Sequence, residues 1–150
     1  MGFGIAVPDP GRAIPYLVAT AGRPLNRIKE LAIFGFRSVI DLGQTRVAAS
    51  RHRAETEAAG MKYFHIPVSM DMPDRDQVAA FFRIVINARN GPLLIYAPRA
   101  ELLGVMWFTY RLNLGAPSGF AIREGRSLGL TRQQEQKVMN LRPGSTSNTK

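Results

Sequence analysis

Apolar and polar residues follow one another in short blocks that predict strands and helices in turn. Brief apolar or β-branched runs, each bounded by glycine, proline or polar residues, are typical of strands. These runs lie at residues 16–19, 38–42, 62–68 and 93–96. The last of them, Leu-Leu-Ile-Tyr, is the most apolar and is expected to be the buried central strand of a sheet covered on both faces.

The segments between these runs carry apolar residues at helical spacing. The predicted helices cover residues 25–34, 47–59, 75–86, 102–113, 118–127 and 131–141, with Asp74 capping the third and Thr131 opening the last. Strands that alternate with helices predict right-handed crossovers and an α/β fold, with a mainly parallel central sheet of four or five strands flanked by helices on both faces. In such sheets ligands bind beyond the carboxyl ends of the strands, so the loop after Tyr96 is the expected site.

The chain length suits one domain, which we place at residues 14–141, with an N-terminal extension at 1–13 and a flexible polar tail at 142–150. The apolar run at 102–110 is closed by Arg111 and is too short to span a membrane. Pro8 and Pro10 interrupt a segment that has neither a basic leader nor a long apolar stretch. A soluble protein on the cytoplasmic side is therefore expected.

The amino-acid composition limits the reactions and ligands that the chain can support. The chain has no cysteine, which excludes disulfides, zinc–thiolate sites and thiol catalysis. A net charge of +9 suits nucleic acid, an anionic substrate, an acidic protein partner or an acidic membrane surface, and charge alone does not choose among them. We expect an acidic protein partner or a larger complex, with a small anion as the alternative. Because the basic residues are scattered and no base-stacking motif accompanies them, nucleic-acid binding is not expected. No metal or cofactor is expected either, because the two histidines are separated and have no cysteine beside them.

Six segments, in order, carry a resemblance to a known family. They are residues 16–24 (YLVATAGRP), 35–42 (GFRSVIDL), 63–68 (YFHIPV), 91–96 (GPLLIY), 104–111 (GVMWFTYR) and 125–131 (GRSLGLT). Together they resemble the bacterial tyrosine-phosphatase-like domains, relatives of dual-specificity phosphatases that also occur fused to beta-lactamase-like hydrolases. The resemblance covers roughly residues 14–140 and implies the cysteine-phosphatase fold.

The resemblance also implies a phosphate-binding loop after the central strand, and this chain departs from it. In the family a His-Cys pair ends the strand, a glycine follows three residues after the cysteine, and an arginine five or six after it. The corresponding positions here are Tyr96, Ala97, Ala100, and Leu102 or Leu103. Alanine offers no nucleophile, and leucine cannot donate the charge-assisted hydrogen bonds by which arginine holds phosphate. Glu101 adds a negative charge that repels a dianion.

Other side chains are weaker candidates for a role. Asp71 falls where related phosphatases keep a general acid, but loop aspartates more often cap helices, as Asp74 is expected to do. Arg99 lies in the loop and is a candidate for gripping an anion. His65 is expected to be a packed or surface strand residue, and His52, between two arginines, is expected to be exposed.

The aromatic residues of the helix that follows the central strand leave two interpretations open. Trp107, Phe108 and Tyr110 are expected to fill the core, although they also suit a partner groove.

Three functions remain open from the sequence. The first is a catalytically inactive pseudophosphatase, not an enzyme, that serves as a protein-binding or structural subunit. The second is a module that senses an anion or phosphate with the altered loop. The third is a hydrolase of altered chemistry built on Asp71, Tyr96 and His65, for which no recognised triad spacing is present.

Overall fold

A computed structural model describes residues 3–8, 15–21, 28–43, 45–68 and 72–141, with backbone alone for 3–8, 15–16 and 21. The strands are β1 (Phe3–Pro8), β2 (Pro15–Ala21), β3 (Ser38–Asp41), β4 (Lys62–His65) and β5 (Leu93–Ala97). The helices are α1 (Ile28–Phe34), α2 (Arg46–Ala58), α3 (Arg75–Ile86), α4 (Ala100–Asn113), α5 (Ser118–Leu128) and α6 (Arg132–Leu141).

The five strands form one sheet in the order β1-β2-β5-β3-β4. β2, β5, β3 and β4 are parallel to their neighbours, and β1 pairs antiparallel with β2 at the edge. All five residues of β5 are buried, which confirms that this most apolar run is the centre of the sheet. Parallel neighbours on both sides and helices above and below leave β5 no contact with water, and this explains its unbroken apolar sequence.

Successive residues of each strand pack on opposite faces, because side chains alternate along extended backbone. On one face, Ile40, Leu93 and Ile95 pack into a cluster that includes residues of α3 and α4. On the other face, Val39 and Leu94 pack against residues of α1 and α2. The α/β class, the parallel sheet and the two helical layers are therefore confirmed.

The longest helix, α4, lies in the core. Trp107, Phe108 and Tyr110 are all buried, so the core interpretation of these aromatic residues is confirmed over a partner groove. The Trp107 indole donates to Glu124 of α5 at 2.9 Å, and Arg111 donates to the same carboxylate at 2.8 Å. These two bonds fix α4 against α5.

Several element boundaries differ from the sequence prediction. β1, an edge strand with one neighbour, was not predicted: its short apolar run was assigned to the N-terminal extension at 1–13. β4 ends at His65 rather than at residue 68, since Pro67 has no N–H to donate to a neighbouring strand. The predicted start of the first helix and the predicted tail at 142–150 lie outside the described residues. Within the described residues, no helix combines the length and the apolar character that crossing a membrane requires.

Gly104 lets α4 approach the turn between α5 and α6. A Cβ atom placed on Gly104 would lie 2.8 Å from the carbonyl oxygen of Gly125 and would also collide with the backbone N of Leu130. Backbone atoms cannot move aside as the end of a flexible side chain can. The spacing between these helices therefore requires glycine at this position.

We predict that Gly104→Ala lowers the free energy of unfolding by about 1–3 kcal/mol, the usual cost of overpacking a core. Gly119→Ala is the matched control, because a Cβ there meets nothing within 4 Å and alanine favours a helix. Urea denaturation measures both variants. Equal stability of the two would contradict the close approach at Gly104.

Candidate functional site

The carboxyl ends of the parallel strands meet at one edge of the sheet. Asp41 ends β3, His65 ends β4 and Ala97 ends β5. Asp41 lies opposite both Tyr96 and His65 in the strand register. The polar side chains that follow these buried strands therefore converge at the edge where α/β proteins bind ligands.

The loop after β5 occupies the place that the sequence predicted for it. Ala97 is the buried last residue of β5, Pro98 and Arg99 are exposed, and Ala100 begins α4. Leu102 and Leu103 are 1% and 3% exposed and belong to the core. The two positions where the family's arginine is expected thus hold core side chains.

The start of α4 is fixed by a neighbouring turn. A Cβ atom on Gly129, whose φ is +125°, would lie 2.6 Å from the carbonyl carbon of Ala100. Gly129 therefore permits a close backbone approach that a larger residue would prevent. The first turn of α4 is consequently held against the turn between α5 and α6.

Asp41 is the centre of a hydrogen-bonded cluster on the α2 side of this edge. One carboxylate oxygen, Oδ1, accepts from the Gly43 N–H at 2.7 Å. The other, Oδ2, accepts a very short hydrogen bond from the Tyr63 hydroxyl and lies 3.1 Å from Nδ1 of His52. The Tyr96 hydroxyl lies 3.2 Å from the same Nδ1. Side chains from two strands and one helix, together with the turn after β3, thus surround the carboxylate of Asp41.

The cluster keeps Asp41 ionised. Burial alone would raise the pKa of its carboxyl group, but hydrogen bonds from Tyr63, Gly43, His52 and Tyr96 outweigh burial and lower it below the ordinary value. Burial and the neighbouring Asp41 carboxylate raise the pKa of Tyr63, so this hydroxyl stays protonated. Asp41 is therefore an acceptor for every donor around it.

The expectation that His52 is exposed is wrong. Its side chain is only 18% exposed, because its position on α2 turns the ring toward Asp41 and Tyr96. His65 is a packed strand residue, as predicted, and its Nε2 lies 2.7 Å from the carbonyl oxygen of Gly43. His65 thus helps to hold the turn after β3.

A pocket of about 320 Å³ lies beside the cluster. Its lining comprises Asp41, Gly43, Thr45, Ala48, His52, Tyr96 and Pro98. The volume lies at the small end of the range for ligand pockets. The pocket therefore adjoins both the cluster and the altered loop.

Two helices begin at this pocket. Thr45 caps α2, accepting from the N–H of Ala48 at 3.3 Å, and Pro98 lies two residues before the start of α4. Helix N-termini carry partial positive charge, which favours an anion nearby. Glu101, in the first turn of α4, opposes this effect.

The remaining predicted residues have other positions. Asp74 caps α3 in a reciprocal arrangement with Gln77, which confirms its structural role. Asp71 lies outside the described residues. Among the residues that the structure does describe, no three histidine, cysteine, aspartate or glutamate side chains form a group that could hold a metal ion.

Sequence reasoning missed the pair formed by His52 and Asp41. Eleven residues separate them, and the packing of α2 against the sheet brings them together. The one signal in the sequence was the position of Asp41, a carboxylate at the end of a buried β-branched strand.

Comparison with known proteins identifies a family that matches much of the chain. Residues 17–109 match the family described as beta-lactamase hydrolase-like protein, phosphatase-like domain. No curated protein matches the chain.

Solved structures share the fold at low identity. The core catalytic domain of the PP-IP phosphatase SIW14 from S. cerevisiae is 14% identical with a TM-score of 0.70, covering 91% of this chain and 82% of its own. P. aeruginosa TpbA, solved in complex with pTyr, is 20% identical with a TM-score of 0.63, covering 82% and 78%. Tk-PTP in the active form is 16% identical with a TM-score of 0.67, covering 83% and 89%.

These findings correct one expectation from the sequence. The prediction that the chain is not an enzyme is wrong, because residues 17–109 match a phosphatase-like family. The absence of cysteine excludes only the mechanism in which a thiolate is the nucleophile. It does not remove the polar groups that the fold assembles beside the altered loop.

We predict that Asp41→Asn lowers the free energy of unfolding at pH 7 by about 1–3 kcal/mol, because buried donors lose a charged acceptor. The folded-state pKa of Asp41 lies below the unfolded value of about 4. Its contribution is therefore complete above that pH and is lost as the pH falls through the folded-state pKa. The difference in free energy of unfolding between wild type and Asp41→Asn should therefore decrease below about pH 4.

Denaturant unfolding across a pH series measures this gap. Asp76→Asn, at an exposed position in the first turn of α3, serves as the control and should change stability by less than about 1 kcal/mol. If the stability difference between wild type and Asp41→Asn stays constant with pH, Asp41 is not held ionised by the cluster.

Proposed function

The chain belongs to the phosphatase-like domain family of beta-lactamase hydrolase-like proteins, and on that premise we propose that it hydrolyses a phosphate ester without a cysteine nucleophile. The substrate binds in the pocket at the carboxyl edge of the sheet, next to the loop that follows β5. Water takes the place of the thiolate as the attacking group. This is the hydrolase of altered chemistry that the sequence left open, with a different set of residues.

One observation carries the proposal. The pocket lies at the end of the central strand and is lined by His52 and Tyr96, which both hydrogen-bond to the buried Asp41 carboxylate. A cleft that combines polar side chains with a group of shifted pKa is the arrangement expected of an active site. Asp71 lies outside the described residues and His65 does not line the pocket, so neither has a part in this proposal.

The position of the pocket favours an anionic substrate. It lies beside the first residues of α2 and the loop that leads into α4, so two helix N-termini supply partial positive charge. Arg99, exposed in the loop, adds a full charge nearby. Glu101 repels a dianion more than a monoanion, which favours a phosphate diester over a monoester.

Several expectations from the sequence stay predictions. An acidic protein partner or larger complex agrees with the net charge of +9, and a protein-binding role can accompany an enzyme. The cytoplasmic location also stays a prediction. The anion-sensing function would use the same pocket without turnover, so one experiment separates it from hydrolysis.

We predict that Ala48→Phe, which fills the pocket, reduces turnover of bis(p-nitrophenyl) phosphate and p-nitrophenyl phosphate at least about tenfold, a barrier change of roughly 1.4 kcal/mol. Ala58→Phe is the matched control. It places the same ring at an exposed position at the end of α2 and should leave turnover unchanged.

Steady-state release of nitrophenol and calorimetry with inorganic phosphate are measured on the same preparations. Wild-type protein that binds phosphate but hydrolyses neither ester would support the sensing function and contradict the proposal. Equal turnover by the two phenylalanine variants would place the reaction elsewhere on the molecule.

Arg99 generates a separate prediction. In the proposed site its guanidinium attracts the substrate, so Arg99→Gln should raise KM several-fold and change kcat little. This rise in KM corresponds to a loss of about 1 kcal/mol in binding free energy, the upper range for a solvent-exposed charge pair. Arg132→Gln, at an exposed position that begins α6, is the control and should leave both constants unchanged. A KM for Arg99→Gln equal to that of wild type would remove Arg99 from the site.

A further inference from the structure

His52 occupies a defined position between the Asp41 cluster and the pocket. Its ring lines the pocket, and its side chain is 18% exposed, against 4% for that of Asp41. The backbone carbonyl of His52 accepts from the Thr56 hydroxyl at 2.7 Å, one turn further along α2. The contact of Nδ1 with Asp41 holds the ring at the boundary between the buried carboxylate and the open space.

The hydrogen bonds around the ring fix its tautomer. Asp41 is ionised and can only accept, so Nδ1 of His52 must carry the proton in the 3.1 Å contact with Oδ2. The opposite tautomer would set a nitrogen lone pair against a carboxylate oxygen. The neutral ring therefore keeps its lone pair on Nε2.

Tyr96 does not change this assignment. Its hydroxyl lies 3.2 Å from Nδ1, but it also contributes a hydrogen bond to Asp41 and lowers the pKa of that carboxyl group. Tyr63, which stays protonated, donates to Asp41 from the other side. Both hydroxyls thus act as donors to the carboxylate, and Nδ1–H is the third side-chain donor.

We infer that His52 is the general base of the proposed hydrolysis, with Nε2 taking a proton from the attacking water and Asp41 acting as a positioning residue. This inference rests on the proposed function. The water oxygen forms a bond to phosphorus, and the bond from phosphorus to the ester oxygen breaks with its electron pair on the leaving group. The proton on Nε2 then passes to that oxygen, which gives an alcohol and the phosphate product.

The arrangement resembles the way other hydrolases orient a histidine. A carboxylate that accepts from one ring nitrogen holds the tautomer, orients the ring and stabilises the positive charge that forms when the other nitrogen gains a proton. In this chain the nucleophile is water instead of a side chain, because the position at the end of β5 is Ala97. The base comes from α2, not from the altered loop.

The activity test replaces His52 and, as a control, a neighbouring residue of α2. His52→Ala and His52→Gln should lower kcat by about 10²–10⁴, the usual contribution of a general base, with little change in KM. Added imidazole should restore part of the turnover of His52→Ala and none of that of His52→Gln, whose side chain fills the space. Arg51→Gln is the control, since Arg51 is exposed on the same helix and does not line the pocket, and it should keep its turnover.

A second measurement reads the tautomer directly. In ¹⁵N-histidine-labelled wild-type protein, Nε2 of His52 should show the shift of an unprotonated ring nitrogen and Nδ1 that of a protonated one. The spectrum of His65→Gln assigns the two rings. A protonated Nε2 in the neutral ring overturns the inference whatever the activity.

The outcomes separate the inference from the function on which it rests. Wild-type protein that turns over ester while both His52 variants keep their kcat overturns the inference and leaves the proposed function in place. Wild-type protein without turnover overturns both. Loss of kcat in both variants, with imidazole rescue of His52→Ala alone, supports both.

Discussion

The buried carboxylate of Asp41 is the group on which the proposed site depends. Asp41 ends β3 at the carboxyl edge of the sheet, and its side chain is 4% exposed, yet hydrogen bonding keeps the carboxylate ionised. A buried charge is tolerated only where donors surround it. Here those donors are Tyr63 of β4, Tyr96 of β5, His52 of α2 and the Gly43 N–H, so one charge links three strands and a helix.

The hydrogen-bonded cluster around Asp41 does not depend on the cysteine that is missing from the loop after β5. Loss of the nucleophile and the arginine left Ala97 and two core leucines, and those residues cannot perform the family's reaction. The polar groups on the α2 side of the same edge remain. They place the His52 ring next to a pocket that lies beside two helix N-termini. In the proposed reaction the histidine accepts the proton of water, and the helix N-termini favour the anionic ester.

Much of the fold could be predicted from the sequence, and much of the site could not. The apolar run of β5 and the Asp74 cap carry their signals in neighbouring residues, and both were predicted. β1 is an edge strand with a single neighbour, and it was missed although its segment is a short apolar run closed by Pro8. His52 lies among polar residues on α2, so its local sequence indicated exposure. Its contact with Asp41 arises from packing between elements, which no local pattern contains.

The central claim is that water attacks phosphorus directly at this edge of the sheet. The stereochemical course of hydrolysis tests it, using a phosphate ester made chiral at phosphorus by isotopic substitution. A single in-line displacement by water inverts the configuration. The account predicts inversion, whereas retention would indicate two displacements through a covalent intermediate and would contradict it.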